Sequence, residues 1–237
     1  MTDFNPYSLE TQERASAPAF SRLLTKVYLW MTLALAVTGL TAWFVAFDTS
    51  VVFTLASNPA IFWGIAIAEL ILVMILSAGI NRLPFTAAGL LFALYSILNG
   101  VTFSIILLVY TMESVTAAFL ASAATFGAMS LVGMTVKRDL STFGRLLLMG
   151  LIGLIIATVV NIFVANDTLS WVITYAGVLI FCGLTAYDTK KMREMLKAYE
   201  ETGEETLHKV ALLCSLSLYL DFINLFLYLL RILGKKK

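Results

Sequence analysis

Seven long apolar stretches occupy most of this 237-residue chain and restrict the folds it can adopt. A helix needs about 20 predominantly apolar residues to cross the hydrocarbon core of a bilayer. Such stretches lie at residues 27–47, 60–80, 85–110, 115–136, 146–165, 169–187 and 210–230. With 60 % hydrophobic and only 13 % charged residues, the chain also departs far from the composition of soluble domains. The predicted fold class is therefore all-α, a polytopic membrane protein with seven transmembrane helices.

The segments between these stretches are too short to form an extramembrane domain, so we predict a single domain. Residues 1–26 are expected to form a partly disordered cytoplasmic tail, residues 27–234 the transmembrane domain, and residues 235–237 a basic C-terminal tail. A formal net charge of +1 gives no indication of a nucleic-acid partner. Cys182 and Cys214 lie inside apolar stretches without metal-ligand spacing, which predicts core thiols and no permanently bound cofactor.

The distribution of lysine and arginine predicts the orientation of the chain. Cytoplasmic loops of membrane proteins are enriched in these residues, and here they occur in the N-terminal tail and in the second, fourth and sixth loops. The first, third and fifth loops have none. We therefore expect the N-terminus and the even-numbered loops to be cytoplasmic.

The C-terminus is an exception, because Arg231 and the three final lysines would lie outside if the seventh stretch crosses completely. Either that stretch spans, with the lysines at the outer interface, or it re-enters and returns to the cytoplasm. A re-entrant segment is tolerated only where other helices shield its backbone. The absence of glycine and proline from the stretch favours a full span.

The sixth loop contains an apolar pattern typical of a helix. Met192, Met195, Leu196 and Tyr199 are spaced i, i+3, i+4 and i+7, which predicts an amphipathic continuation of the sixth helix. Gly203 is expected to end it. His208 is predicted to be an ordinary solvated loop residue.

Asp221 lies in the middle of the seventh apolar stretch. A charged side chain at the bilayer centre costs roughly 2.5–3.5 kcal/mol or more, so such residues normally face a protein interior or water and mark ion or proton paths. On a helix, Ser217, Asp221, Asn224 and Tyr228 share one stripe. The stripe predicts a polar interior lined by Asp221 and Asn224.

Two further carboxylates lie within or beside the apolar stretches. Glu69 is nearly central in the second stretch, and Asp188 stands at the inner end of the sixth. The seven stretches contain no lysine or arginine, and an interior with carboxylates but no fixed cations suits a cation or a proton. Both residues also have a structural alternative. Glu69 could be a carboxylic acid hydrogen-bonded to a neighbouring helix, and Asp188 could be an interfacial residue at the helix end beside Lys190 and Lys191.

Several motifs resemble those of the Bax inhibitor family of transmembrane proteins, in its bacterial form. They are Gly127-Ala128-Met129-Ser130 ahead of Lys137-Arg138-Asp139-Leu140-Ser141, Gly183-Leu184-Thr185-Ala186-Tyr187-Asp188-Thr189, and the stretch from Leu218 to Phe226. The resemblance extends over nearly all seven predicted spans. It implies a final helix wrapped by the other six and a location in a bacterial inner membrane.

The resemblance also implies a calcium-leak activity, with Ca²⁺ as the transported ion, and a pH-sensing pair formed by Asp188 and Asp221. Arg82 is expected to contact this pair, and Glu69 to line the path. Counting at about 1.5 Å per residue, however, places Asp221 roughly 18 Å beyond Lys209, whereas Asp188 lies near the inner boundary. Straight, full-length helices would keep the two aspartates apart, so the pair requires a cytoplasmic vestibule with a displaced or re-entrant seventh segment.

Two other functions fit the sequence less well. The chain could be a non-transporting regulator of membrane proteases or cell-death proteins, although no motif identifies such a partner. Tyr187-Asp188 also resembles part of an intramembrane aspartyl protease. However, Asp221 lacks a Gly-x-Gly-Asp context, and none of the four prolines supplies a C-terminal Pro-Ala-Leu element. The sequence therefore does not predict an enzyme.

If Asp188 and Asp221 approach each other, protons should control them. Two carboxylates in a low-dielectric site disfavour double ionisation, so the pair should titrate as one unit. We expect the leak to depend on pH between roughly 5 and 8. The sequence leaves the sign open, because gate opening and ion affinity can respond in opposite directions.

Overall fold

The computed structural model describes residues 6–80, 82–198 and 204–237, and almost all of them are helical. The helices are α1 (Pro6–Phe47), α2 (Thr49–Ser57), α3 (Pro59–Gly79), α4 (Phe85–Val109), α5 (Met112–Thr135), α6 (Ser141–Val164), α7 (Asp167–Ala198) and α8 (Glu204–Leu233). All except the short α2 are long and apolar enough to cross a membrane. The prediction of an all-α protein with seven transmembrane helices is thereby confirmed.

The structure differs from the sequence-based expectation at the N-terminal end. Helix α1 begins at Pro6, inside the segment that we predicted to be a tail. The first loop contains α2, which we did not predict; the Asp48 carboxylate caps it by accepting hydrogen bonds from the backbone N–H and the hydroxyl of Ser50, at 3.1 and 2.6 Å. A local capping interaction of this kind stabilises helices too short to show an apolar period.

The amphipathic continuation of the sixth transmembrane helix is confirmed. Helix α7 extends to Ala198, and Met192 and Leu196 on its inner face are buried. Tyr199 and Gly203 lie outside the described residues. His208 is not a loop residue as predicted; it lies on α8, where its Nε2 atom is 2.7 Å from Lys26 Nζ.

Helix α8 is the centre of the bundle. Of the most apolar 18 residues of α8, 72 % are buried. The corresponding share is 44 % in α7 and 6–33 % in the other spans. Helices α1, α4, α5 and α7 pack along it, while α3 packs chiefly on α4 and α6 on α7. The predicted central position of the last helix is confirmed, with four helices in direct contact along its length and two in an outer layer.

Tyr219 connects the central helix to its neighbours. Its ring is completely buried and meets the rings of Phe92 and Tyr95 edge-on, at centroid distances of 5.7 and 5.8 Å. Its hydroxyl lies 2.7 Å from Thr38 Oγ1, which is also 3.0 Å from the Ser96 carbonyl oxygen. One side chain of α8 therefore joins α1 and α4 through both aromatic and polar contacts.

The C-terminal residues contact the loop between α4 and α5. Helix α8 is continuous to Leu233, and the Thr111 N–H then donates to the Lys235 carbonyl while the Lys237 N–H donates to the Val109 carbonyl, at 3.1 and 2.9 Å. This loop is at the opposite end of α4 from Arg82. The seventh segment therefore runs the full length of the bundle, and the re-entrant alternative is wrong.

Helices α5 and α7 approach closely at Gly133. A Cβ atom added there would collide with the Ala186 carbonyl oxygen and lie 2.9 Å from Thr189 Cβ. Small residues at such crossings let helix backbones pack in membranes.

We expect Gly133→Ala to lower the unfolding free energy by about 1–3 kcal/mol, the usual cost of overpacking. Unfolding in detergent, followed by circular dichroism, measures this. Gly127→Ala is the matched control, because an added Cβ there has no atom within 4 Å. Equal stability of the two variants would show that the α5–α7 contact tolerates an added methyl group.

Candidate functional site

Asp221 is buried within the bundle. Its side chain is only 4 % exposed, and its Oδ2 atom is fully buried without a hydrogen-bond partner among the described residues. Buried polar atoms in native proteins nearly always have partners, since an unsatisfied one costs free energy. Packing alone therefore does not explain why a carboxylate stands at this position.

A cavity of about 230 Å³ lies between α3, α7 and α8, on the cytoplasmic side of Asp221 in the predicted orientation. Asp188 lines it, as does Ser217, which precedes Asp221 by one helical turn. The Asp188 and Asp221 carboxyl groups are close enough to interact electrostatically, but they share no hydrogen bond among those of the described residues. The complete lining is Ser77, Asp188, Lys191, Met192, Met195, Leu213, Cys214 and Ser217.

Both α7 and α8 are uninterrupted on the cytoplasmic side of these aspartates. Helix α7 continues for ten residues after Asp188, and α8 begins 17 residues before Asp221. The cavity follows the helices on this side, from Asp188 to Met195 on α7 and from Leu213 to Ser217 on α8. The role of the two aspartates as a pair stays a prediction.

Lys191, rather than Arg82, is the basic residue beside this cavity. Lys191 follows Asp188 by three residues and interacts electrostatically with it. Arg82 is exposed in the loop after α3 and is absent from the salt bridges found among the described residues. The predicted contact of Arg82 with the pair stays a prediction.

The neighbouring basic residues of α7 face the other way. Lys190 is buried and donates to the Arg138 carbonyl, and Arg193 donates to the Met134 carbonyl. Cationic side chains commonly satisfy free carbonyls at the C-terminal end of a helix. Here one acceptor is in the last turn of α5 and the other is in the loop that follows it. These two residues hold α7 against α5 and leave Lys191 on the cavity side.

Glu69 lies outside the cavity that contains Asp188. It is half-buried on α3, where its Oε1 atom accepts a 2.6 Å hydrogen bond from the Thr102 hydroxyl of α4. This contact matches the structural alternative for Glu69. Its predicted place on an ion path is not tested by this contact.

The stripe beyond Asp221 is closed by aromatic packing. The Asn224 side chain donates to the Leu220 carbonyl of its own helix at 2.8 Å. Farther along, the Tyr228 ring stacks on Phe181 at 5.9 Å, and it covers Gly177, where an added Cβ would lie 2.6 Å from the ring. The described side chains thus form a cavity on one side of Asp221 and a packed interface on the other.

Part of the cavity lining could have been found from residue spacing. Asp188, Lys191, Met192 and Met195 are spaced i, i+3, i+4 and i+7 on α7, which places them on one face. Ser77 on α3 offered no such signal, because a single serine near a helix end has many uses.

Comparison with known proteins gives a consistent result across the chain. A family model described as inhibitor of apoptosis-promoting Bax1 matches residues 21–237. The inner membrane protein YbhL of Escherichia coli K12 is 46 % identical over 214 residues, which cover 90 % of this chain and 92 % of YbhL.

Other bacterial relatives show similar coverage. A protein of Borreliella burgdorferi is 38 % identical over 96 % of this chain and 97 % of its own length. One from Deinococcus radiodurans is 40 % identical over 88 % of both chains. The names of these two proteins state no function.

Proposed function

Because the chain belongs to the Bax inhibitor-1 family of membrane proteins, we propose that it provides a pH-dependent leak for Ca²⁺, with Asp188 and Asp221 as sensor and gate. The family is not known as an enzyme family. Relatives named as inner membrane or membrane proteins agree with a bacterial inner membrane as its location.

The unpartnered Oδ2 atom of Asp221 is the observation that carries this proposal. Burial without a hydrogen-bond donor is unfavourable for a carboxylate, but it leaves an oxygen available to an incoming cation. Ca²⁺ accepts flexible coordination by carboxylates, carbonyls and water. Ser217 and Asp188, at the wall of the adjoining cavity, could supply further oxygens on the way to Asp221.

The number of carboxylates suits a leak better than a storage site. Among the described residues, no group of three or more acidic, histidine or cysteine side chains could hold a metal ion. Ca²⁺ sites with high affinity use several charged ligands. Two carboxylates of one path would bind Ca²⁺ weakly and release it readily, as conduction requires.

We attribute closure of the Ca²⁺ path to the packing beyond Asp221. For an ion to continue, the Tyr228 ring must leave Gly177 or α7 must move away from α8. A change of charge on the Asp188–Asp221 pair acts directly between these two helices. Protonation leaves one charge or none and permits close approach, whereas two charges repel.

Calcium flux into proteoliposomes tests the proposal. Purified protein in vesicles containing a Ca²⁺ indicator should admit Ca²⁺ faster than protein-free vesicles, and an ionophore added at the end defines the full signal. Uptake no faster than in protein-free vesicles, with correctly folded protein, would contradict the leak. That outcome would instead support the non-transporting regulator.

Orientation is a separate prediction, based on the loop asymmetry in lysine and arginine. In a background with Cys182 and Cys214 replaced by alanine, Asp48→Cys and Asp167→Cys should react with a membrane-impermeant maleimide only from outside the cytoplasmic membrane. Lys137→Cys is the control and should react only from the cytoplasmic side. The reverse pattern would invert the topology.

A further inference from the structure

Helices α1 and α5 both pack on α8, but within the described residues they do not pack against each other along their length. A groove of about 840 Å³ separates them. Leu35 and Gly39 line one wall, Ala123 and Gly127 the other, and Phe222 of α8 forms its floor. A second cavity of about 260 Å³ continues the groove and shares Leu35, Gly39 and Phe222. The six helices thus leave a lateral opening onto the central helix.

We propose that this groove binds the acyl chain of a phospholipid with an anionic headgroup. Both walls belong to helices that can span a membrane, so the opening faces hydrocarbon. The proposal does not depend on the calcium leak, because it concerns a different face of α8.

The length of the groove fits one leaflet. Its wall on α1 runs from Tyr28 to Gly39, and eleven residues rise about 16 Å in a helix. One leaflet supplies half of a hydrocarbon core roughly 30 Å thick. A single chain entering from one surface would therefore fill the groove from end to end.

Small side chains form part of both walls of the groove, Gly39 on α1 and Ala123 and Gly127 on α5. A flexible hydrocarbon chain is narrower than a helix and can follow these walls down to Phe222. A transmembrane segment of a second protein is the competing occupant that the test must distinguish.

The polarity of the groove orients the lipid. Tyr28, Thr32 and Ser130 lie at the end where α1 enters and α5 leaves the bundle. Just beyond the end of α5, Lys137 and Arg138 are exposed. The adjacent Asp139 accepts hydrogen bonds from the Ser141 N–H and hydroxyl, both at 2.9 Å. Two exposed cations at this end of the bundle suit a phosphate, and surface lysines and arginines attract anionic lipids by about 1 kcal/mol each.

Photo-crosslinking tests the site directly. Protein in vesicles is irradiated with phosphatidylglycerol that carries a diazirine in its acyl chain, and labelled peptides are identified by mass spectrometry. We expect labelling concentrated at residues 28–39 and 119–134 over the exposed faces of α3 and α6. Gly39→Leu with Gly127→Leu should reduce that labelling at least several-fold, by filling the groove.

Gly64→Leu with Gly153→Leu is the matched control, because an added Cβ at any of these four glycines has no atom within 4 Å. The control pair should leave the labelling unchanged. Even labelling of all lipid-facing helices, or an equal effect of both pairs, would overturn the site.

The headgroup assignment has its own measurement. Phosphatidylglycerol should label the groove several-fold more than phosphatidylcholine carrying the same chain. Lys137→Gln with Arg138→Gln should remove this preference, while Lys197→Gln should not. A preference that survives the double substitution, or none in the wild type, would contradict the anionic headgroup.

Discussion

Asp221→Asn is expected to lower the Ca²⁺ leak on the order of tenfold, because an intramembrane carboxylate on an ion path contributes a charge that an amide cannot replace. The substitution keeps nearly the same volume. It also replaces a buried ionisable carboxyl group by a neutral amide and so removes the cost of burying an unpaired charge, so stability should hold or increase. Flux per folded protein and unfolding in detergent are measured on the same samples.

Two controls separate ion conduction from packing. Asp167→Asn removes an exposed carboxylate at the start of α7 and should leave both flux and stability unchanged. Leu225→Asn places the same amide at a fully buried position of α8 and should impair folding or packing. If Asp221→Asn matched the wild type in flux at equal incorporation, Asp221 would have a structural role only.

The leak is expected to change several-fold between roughly pH 5 and 8, and this pH profile should shift or flatten in Asp188→Asn and in Asp221→Asn. Two buried carboxyl groups that interact cannot both ionise freely in this interval, and they titrate as a pair. Removing either one leaves a single carboxyl without that interaction. Flux is measured across the interval in the three proteins, with equal Ca²⁺ gradients and internal pH.

The sign of the response tests the proposed gate. A faster leak at high pH agrees with it, because two charges both bind Ca²⁺ and push α7 away from α8. A faster leak at low pH would contradict a gate that opens by repulsion between these two helices. Parallel pH profiles in all three proteins would eliminate the pair as the sensor and return Asp188 to an interfacial role beside Lys190 and Lys191.

The spans could be predicted from sequence because the bilayer imposes one length on all of them. The central position of α8 could be predicted only from the family resemblance. The apolar stretch of residues 146–165 is at least as hydrophobic as the stretch in α8, and yet it lies in the outer layer as α6. Hydropathy does not show whether a helix is surrounded by lipid or by protein. Buried polar residues such as Ser215 and Asp221 indicate that protein surrounds it.

The relative depth of Asp188 and Asp221 could not be obtained by counting from charged residues. The count placed the membrane boundary at Lys209, whereas the helices continue on both sides of it, to Ala198 in α7 and from Glu204 in α8. Lys191 was not singled out from the sequence, although it shares a helix face with Asp188. The contact of Arg82 with the pair stays a prediction.

Chain order gives the central helix a consequence for biogenesis. Helix α8 follows the seven others in the sequence, yet α1, α4, α5 and α7 all pack on it. During translation, those helices are therefore made before the surface that joins them has been synthesised. Assembly of the bundle must wait for α8 to enter from the side or from the insertion machinery. A ribosome that stalls before residue 204 leaves an open ring of helices, which is the form that membrane quality control would meet.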